Sequence, residues 1–325
     1  MFSAVMARFV PRSNTLFDMQ GKYILVAGGS KGLGRELCLS LVERGAHVIA
    51  IARSHDALES IKKDMEAVRV HEQQVLGIQS LDLTNSEEVS KFVDGFEKHI
   101  SALFCTAGGT DEEVGYFADI SATSIQTCME KNYLTAAYIT HAVMKVWKAE
   151  LELDEGRSHA HEPRHLVFTA STAALVAVPG YAAYSPSKAA IRALADTLRQ
   201  ESLMYSPPGS IRIHCSFPGT IYTDNFYREQ TRKPDLCKEL EGTVNDEGGL
   251  TARDVAQRIL AGLDTGCYFI PTDFQTRLLL NNMRGPSPRD SPLIDWFMGL
   301  AVSLIWPLIA MHWDWKVARY YQRSQ

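Results

Sequence analysis

Short apolar runs alternate along this chain with longer stretches in which apolar residues recur at helical spacing. The first runs are YILVA at 23–27 and HVIAIA at 47–52. Later runs lie at 75–81, 102–106, 165–169, 211–216 and 267–271. Helical patterns lie between them, at 33–42, 121–149, 185–205 and 251–263. Nearly continuous apolar runs are typical of parallel strands covered on both faces. The alternation therefore predicts an α/β fold with a Rossmann-type, doubly wound parallel sheet.

Two polar stretches interrupt this alternation. Residues 150–164 are predicted to form a surface excursion before the fifth strand. Residues 224–250 carry charges and Gly248–Gly249, a composition that predicts a mobile lid beside a ligand site. Thr84 with Glu87 forms the pattern of a capping box, which predicts that a helix begins there.

The C-terminal end has a different pattern, a run of 16 residues at 296–311 without a charged side chain. A helix of that length is about 24 Å long, shorter than a hydrocarbon core of roughly 30 Å. Pro307 is expected to interrupt it, and tryptophans flank it. A bilayer crossing, a shallow or re-entrant anchor and a buried helix at a subunit interface all remain open.

Three parts follow from these patterns. We predict an N-terminal extension at 1–19, a catalytic domain at 20–273 and a membrane-associating tail at 274–325. The segment at 274–283 contains three consecutive leucines. It is expected to form part of a pocket mouth facing lipid, or a helix that contacts the core or a second subunit.

Composition excludes several classes of protein. The chain has 325 residues, of which 46% are apolar and 22% charged, as in ordinary globular proteins. It carries 33 Lys and Arg against 38 Asp and Glu, a net charge of −5 without a dense basic run, so no nucleic-acid partner is expected. The six cysteines form no C-x-x-C pair, which argues against a zinc site or a disulfide framework.

A glycine-rich loop, A-G-G-S-K-G-L-G, follows the first predicted strand and opens a helix. Gly28, Gly32 and Gly34 occupy its glycine positions. Glycine allows a sharp turn and a close backbone approach to a pyrophosphate, while the helix N-terminus offers unpaired N–H groups. Strand, spacing and helix together predict dinucleotide binding.

The residues after the second strand bear on the choice of dinucleotide. Enzymes that use NAD place an acid there for the ribose 2′-hydroxyl, but this chain has Arg53. A guanidinium can bind a 2′-phosphate, and Lys31 adds a second cation, so we expect NADPH. Asp82, after the third strand, is expected either to meet the adenine or simply to cap a turn.

Candidate proton-transfer residues lie in Y-S-P-S-K at 184–188. Tyr184 and Lys188 are four residues apart, on one helical face, and Pro186 suits the first turn of that helix. The ammonium is expected to lower the pKa of the phenol toward the working range. Ser171, just after a strand, can donate its hydroxyl to a ligand carbonyl.

These motifs resemble the short-chain dehydrogenase/reductase superfamily over roughly residues 20–272. The resemblance rests on AGGSKGLG, LDL, TAG at 106–108, Asn132, Ser171, the Tyr184 and Lys188 pair, and PGTIYT at 218–223. It implies that Tyr184 protonates a carbonyl oxygen as hydride arrives and that Ser171 orients that carbonyl. It also implies that Lys188 lowers the pKa of the tyrosine and holds the nicotinamide ribose, and that Asn132 fixes a water in the proton relay.

The same resemblance implies the cofactor contacts. They are Gly28, Ser30, Lys31, Gly32, Leu33, Gly34, Arg53, Asp82, Leu83, Ala107, Gly108, Tyr184, Lys188, Pro218, Gly219 and Thr223. The chain departs from the superfamily's pattern at Ala27, where threonine is usual, and at Cys105–Thr106, where two asparagines are common. We expect both departures to affect the bracing of loops more than the chemistry.

Within the superfamily, the chain is most similar to reductases of a long-chain sphingoid ketone. That similarity implies an oxidoreductase of sphingolipid metabolism on the endoplasmic reticulum membrane, with its catalytic domain facing the cytosol, and a homo-oligomer. Two alternatives stay open: a membrane-associated reductase of another lipid ketone (steroid, retinoid or 3-ketoacyl), and an NADPH-binding scaffold without activity.

Overall fold

The computed structural model describes residues 15–153, 162–205, 209–241 and 248–323. Its strands are β1 Tyr23–Ala27, β2 His47–Ala52, β3 Leu76–Ser80, β4 Ile100–Cys105, β5 Arg164–Thr169, β6 Ile211–Phe217, β7 Ile221–Tyr222, β8 Leu250–Thr251 and β9 Phe269–Pro271. Its α-helices are α1 Gly32–Glu43, α2 His55–Ala67, α3 Ser86–Asp94, α4 Ala122–Met129, α5 Thr135–Leu153, α6 Tyr184–Ser202, α7 Asp224–Gln230, α8 Asp235–Glu241, α9 Ala252–Asp264, α10 Phe274–Met283 and α11 Pro292–Arg323.

Seven strands form one parallel sheet in the order β3-β2-β1-β4-β5-β6-β9. Apolar residues of α1, α2 and α9 pack on one face, and those of α3, α5 and α6 on the other. The predicted doubly wound α/β fold is confirmed. Strand order reverses between β1 and β4, and ligands of such sheets bind at the carboxyl ends of the strands beside that point.

The long helical pattern at 121–149 is interrupted in the structure by a π-helix at Glu130–Leu134, between α4 and α5. Asn132 is fully buried in this turn, and its Nδ2 donates to the carbonyl of Cys128 at 2.9 Å. π-Turns of this kind are often found at functional sites.

The predicted capping box at Thr84 is wrong. Asn85 is the N-cap of α3, because its Oδ1 accepts hydrogen bonds from the backbone N–H groups of Glu87 and Glu88, both at 3.2 Å. The Thr84 hydroxyl instead donates to Asp82 Oδ1 at 2.8 Å. An amide oxygen one residue later in the chain satisfies the free N–H groups of the helix, so the threonine is available to the preceding turn.

The end of the predicted N-terminal extension packs against the catalytic domain. Phe17 is 1% exposed and makes edge-to-face contacts with Phe104 and His165. The backbone N–H of Leu16 donates to the carbonyl of Asp264 at 3.0 Å. Residues 1–14 lie outside the described residues, and the domain boundary at 19 stays a prediction.

The two polar stretches are described in part. Residues 154–161 of the predicted surface excursion lie outside the described residues. Within 224–250 the chain forms α7 and α8, and at its end Leu250 of β8 pairs with Ile221 of β7, which lies just before this stretch. Residues 242–247 lie outside the described residues, and the predicted lid mobility stays a prediction.

The predicted tail begins as part of the folded domain. Leu280 of α10 is fully buried in the core, while Leu278 and Leu279 are half-buried, which agrees with the core-helix alternative. The expected interruption at Pro307 is wrong, because α11 continues through it; the turns on either side supply their own hydrogen bonds. Among the described residues, Pro292–Tyr320 is long and apolar enough to cross a membrane, by length and composition alone, with a mean hydropathy of 1.8.

Candidate functional site

The glycines after β1 are required by close backbone contacts. A Cβ on Gly34 would lie 2.1 Å from the carbonyl oxygen of Gly28. A Cβ on Gly28 would lie 2.4 Å from the backbone nitrogen of Ala107, and Gly28 has a φ of +92°, in the left-handed region. These contacts hold the N-terminus of α1 against the loops that follow β1 and β4.

The N-terminus of α1 suits an anion. Its N-cap, Lys31, makes no side-chain capping hydrogen bond, and the first turn of the helix contains no acidic residue. The N–H groups of this turn and the positive end of the helix dipole face the groove after β1. A Cβ on Gly32 would lie 3.4 Å from Cγ2 of Thr223, so Thr223 borders the same groove. The residues present therefore fit the pyrophosphate of a dinucleotide.

The predicted cation and acid lie at the outer end of that groove. Arg53 is exposed and follows β2 directly. The pKa of Asp82 is lowered, first by hydrogen bonds from the backbone and hydroxyl of Thr84 and then, despite partial burial, by the charge of Arg53. Asp82 therefore braces a turn through one carboxylate oxygen; its contact with adenine stays a prediction.

The other predicted contacts around the groove differ in exposure. Leu33 and Leu83 are buried in the core, whereas Ser30 and Ala107 are half-buried beside the groove. Thr106, at one of the departures from the superfamily, donates its hydroxyl to the carbonyl of Ala27 at 2.8 Å and braces β1 against the end of β4.

Asn132 braces the loop after β4. Its Oδ1 accepts from the N–H of Gly109 at 2.7 Å, and its Nδ2 donates to the carbonyl of Gly109 at 2.9 Å. A Cβ on Gly108 would lie 2.5 Å from this Oδ1. The predicted role of Asn132 in holding a water stays a prediction, while its contacts give it a bracing role.

Ser171, Tyr184 and Lys188 lie together at the carboxyl end of β5. The Lys188 ammonium lies 5.7 Å from the centroid of the Tyr184 ring and donates to the carbonyl of Thr169 at 3.0 Å. The Ser171 hydroxyl has a hydrogen-bonding interaction with the Tyr184 phenol. Lys188 is 4% exposed, whereas Tyr184 is half-buried and remains partly open to the site.

Burial raises the pKa of Tyr184 above its usual value, and the hydrogen bond from Ser171 opposes this only in part. The direction is opposite to the one expected from the lysine alone, because a buried phenolate loses its hydration. A phenol that keeps its proton at neutral pH is a proton donor, which is the form that reduction of a carbonyl requires.

Burial also lowers the pKa of Lys188 to about 8. The ammonium is charged below that pH and becomes neutral as the pH rises through it. We expect kcat for reduction to be constant below pH 8 and to fall above it, because the charge beside Tyr184 is lost. A pH profile of kcat measures this. In Lys188→Arg the limb near pH 8 should vanish from any residual activity, and a wild-type profile that stays flat to pH 10 contradicts the assignment.

The loops after β5 and β6 are joined beside these residues. The N–H and hydroxyl of Thr172 donate to the carbonyl of Pro218, at 2.9 and 3.1 Å. Thr223 caps α7 by accepting from the N–H of Phe226. A Cβ on Gly219 would lie 3.0 Å from Asp273 Oδ2, so Pro218 and Gly219 are held at the edge of the site.

A buried ionic network that the sequence analysis did not predict adjoins the phenol. The Tyr181 hydroxyl lies in hydrogen-bond contact with Glu229 and with Glu241, the latter at 2.6 Å. Lys233 is 2% exposed and pairs with Glu229 at 2.6 Å and with Glu241. The rings of Tyr181 and Tyr184 are 5.4 Å apart.

This network fastens α7 and α8 beside the candidate proton donor. Burial lowers the pKa of Lys233, but Glu241 and Glu229 outweigh that effect and the net shift is upward. The same carboxylates add to the upward shift at Tyr184. The four-residue spacing of Glu229 and Lys233 was the one signal in the sequence. The contact of Glu229 with Tyr181 bridges 48 residues and could not be predicted from that spacing.

The family and the fold are established by comparison with known proteins. The model of the short chain dehydrogenase family matches residues 22–234. A short-chain dehydrogenase/reductase from Burkholderia phymatum, solved with NAD, superposes with a TM-score of 0.67 at 21% identity, over 84% of this chain and 99% of that one. One from Burkholderia cenocepacia, solved with NADP, gives a TM-score of 0.62 at 21% identity, over 83% and 95%. The chain belongs to the short-chain dehydrogenase family and is an oxidoreductase.

Two relatives within that family carry the same activity in their names. The chain is 34% identical to a 3-ketodihydrosphingosine reductase of Aspergillus fumigatus, over 89% of this chain and 82% of the relative. It is 31% identical to a fusion protein of Schizosaccharomyces pombe that contains a 3-ketodihydrosphingosine reductase, over 94% of this chain. The match spans 58% of the fusion protein's length.

Proposed function

We propose that this chain reduces the ketone of 3-ketodihydrosphingosine to dihydrosphingosine, with NADPH as the reductant. The main support for this proposal is the placement of Ser171, Tyr184 and Lys188 beside the glycine-rich loop that fits a dinucleotide. In addition, the relatives of the chain carry this activity in their names. A nicotinamide cofactor follows from the family. The choice of NADPH and the roles of individual residues belong to this proposal.

We infer the roles from the geometry around the phenol. When bound, the coenzyme would supply hydride to the carbonyl carbon. Tyr184, kept protonated by burial, donates its proton to the carbonyl oxygen, while the Ser171 hydroxyl orients and polarises that carbonyl. Lys188, fixed by the carbonyl of Thr169, places its charge beside the phenol and would hold the nicotinamide ribose. Asn132 fixes a water in the proton relay and keeps the loop at Gly109 in place.

The preference for NADPH is testable at Arg53. In Arg53→Asp we expect kcat/KM with NADPH to fall about 10- to 100-fold and the NADH to NADPH ratio to rise, because a charge-assisted contact with the 2′-phosphate is lost. Steady-state kinetics with both coenzymes measure this. Lys63→Asp, at an exposed position of α2, should leave the ratio unchanged. Unchanged NADPH kinetics in Arg53→Asp contradict the contact.

The cellular setting is the second part of the proposal. The apolar helix α11 supports association with a membrane, since a substrate with a long alkyl chain partitions into lipid. We place the enzyme on the endoplasmic reticulum with the catalytic domain facing the cytosol, as a homo-oligomer. Co-localisation with a reticulum marker tests the location, and light scattering of the detergent-solubilised chain tests the oligomer.

The substrate is tested by a direct comparison of ketones. Purified chain is assayed with NADPH and 3-ketodihydrosphingosine, a steroid ketone, a retinoid carbonyl compound or a 3-ketoacyl thioester. We expect the sphingoid ketone to have the highest kcat/KM. If only a different ketone is reduced, the chain is a reductase but 3-ketodihydrosphingosine is not its substrate. If no compound is reduced, the result favours an NADPH-binding scaffold.

A further inference from the structure

The apolar helix α11 is fixed to the catalytic domain where it begins. Asp295, in its first turn, is 3% exposed and pairs with Arg284, which is 2% exposed, at 3.3 Å. Asp295 also accepts from the backbone N–H of Ser291 at 3.2 Å. About two turns later the Ser303 hydroxyl donates to Asn282 Oδ1 of α10 at 3.2 Å, so α11 and α10 stay side by side over these turns.

The far end of α11 lies against the same domain, beside Tyr116 and Glu239. Tyr320 lies close enough to Tyr116 to interact with it; burial first, and then Tyr320, raises the pKa of Tyr116 to about 12. Glu239 of α8 and a group at the end of α11 line one small cavity. The α11 residues of that group are Trp315, Lys316, Arg319 and Tyr320. The lysine and arginine are opposite in charge to Glu239.

Between these ends, one stripe of α11 is less exposed than most of the helix. Asp295 and Val302 are buried in it, and Met298, Trp306, Ala310 and Trp313 are half-buried. Their spacings of three and four residues place them on a single face of the helix. This face meets the domain at Arg284 and Asn281 near the start of α11, and it lies beside Tyr116 and Glu239 near the end.

The opposite face is exposed and apolar. Phe297, Leu304 and Met311 are 62%, 73% and 68% exposed, and they are seven residues apart, on one side of the helix. Large apolar side chains do not normally stand in water in such a continuous row. Tryptophans accompany the row at both ends, at Trp296 and Trp315, as they do at membrane interfaces.

We propose that α11 lies in the plane of one leaflet of a lipid bilayer, with its exposed row in the acyl region, and does not cross the bilayer. The inference rests on the membrane association proposed above. Pro292–Tyr320 has 29 residues and is about 44 Å long, enough to span a hydrocarbon core of roughly 30 Å. A crossing helix would carry Tyr320 to the far side, away from Tyr116 and Glu239. Contacts of both ends with one water-facing domain require a helix parallel to the surface.

This placement sets the substrate side of the domain against the lipid. Glu239 of α8 lines a cavity with the end of α11, and Glu241 of the same helix joins the network beside Tyr184. The α8 helix therefore lies between the lipid-facing end of α11 and the residues beside the phenol.

Depth measurements along the exposed row test the orientation. Phe297→Cys, Leu304→Cys and Met311→Cys are made singly in full-length chain with Cys267→Ser, labelled with bimane and bound to phosphatidylcholine–phosphatidylinositol vesicles. Nitroxide lipids at a shallow and a deep position quench the label. An in-plane helix gives the same shallow-to-deep quenching ratio at all three sites, whereas a crossing helix changes depth by about 10.5 Å per step. A graded series, or no quenching at any site, overturns the proposal.

A sidedness measurement gives a second, independent result. Ser324→Cys and the reference Lys63→Cys, on α2, are treated in sealed microsomes with a maleimide that cannot cross membranes. We expect equal labelling of the two, whichever way the vesicles face. Labelling of Lys63→Cys with protection of Ser324→Cys until detergent is added means that α11 crosses. Ketone reduction is assayed separately. A result that contradicts the in-plane orientation of α11 therefore does not contradict the proposed reaction.

Discussion

Tyr184→Phe is expected to lower kcat for ketone reduction by about 10²- to 10⁴-fold, because the substitution removes the proton donor and little else. The ring keeps its contact with Tyr181 and its place at the start of α6. Coenzyme affinity should therefore change less than threefold or so. Stopped-flow or steady-state kinetics give kcat, and fluorescence titration of the coenzyme gives its Kd.

The matched control is Tyr138→Phe, at a half-buried tyrosine of α5 that packs against the core. It should retain nearly full kcat. Undiminished turnover in Tyr184→Phe would remove the phenol from the reaction, while loss of coenzyme binding in the same variant would mean that the substitution damages the groove.

Lys233→Met is expected to destabilise the protein by about 3–5 kcal/mol, because it leaves Glu229 and Glu241 facing each other without their cation. Chemical denaturation of the full chain in detergent measures the free energy of unfolding. Hydrogen exchange of α7 and α8 shows whether the loss is confined to that region. Lys238→Met is the control, since its partner Asp235 is 81% exposed and the pair contributes little.

The effect of Lys233→Met should depend on pH. Burial raises the pKa of Glu229 even with the lysine present, and removing the lysine raises it further. Protonation of Glu229 then removes its repulsion with Glu241. The loss of stability caused by Lys233→Met should therefore shrink as the pH falls and reach its full size at neutral pH. An equal loss at all pH values contradicts the electrostatic explanation.

The sheet and its glycine loop could be predicted because their signals are local. The first two strands have the bounds that their apolar runs indicated, and Gly28 and Gly34 have the close backbone contacts that the motif implied. Tyr184 and Lys188 were found for the same reason, since four residues on a helix bring them to one face.

Features that depend on distant contacts were missed or misjudged. The π-helix around Asn132 depends on its amide reaching Gly109, 23 residues away, and nothing in the local sequence shows that contact. The direction of the pKa shift at Tyr184 depends on burial by the whole site. For α11 the apolar length was predicted from the sequence, but the less exposed face depends on the contacts of Asp295 with Arg284 and of Tyr320 with Tyr116.

The most direct test of the proposed reaction follows a label from coenzyme to product. Purified chain is supplied with 3-ketodihydrosphingosine and NADPH that carries deuterium on the transferable C4 position, and the lipid is analysed by mass spectrometry. If the proposed reaction is right, the wild-type chain forms dihydrosphingosine with one deuterium at C3. Essentially none of this product is expected with Tyr184→Phe. Unchanged ketone, or product without deuterium at C3, would contradict it.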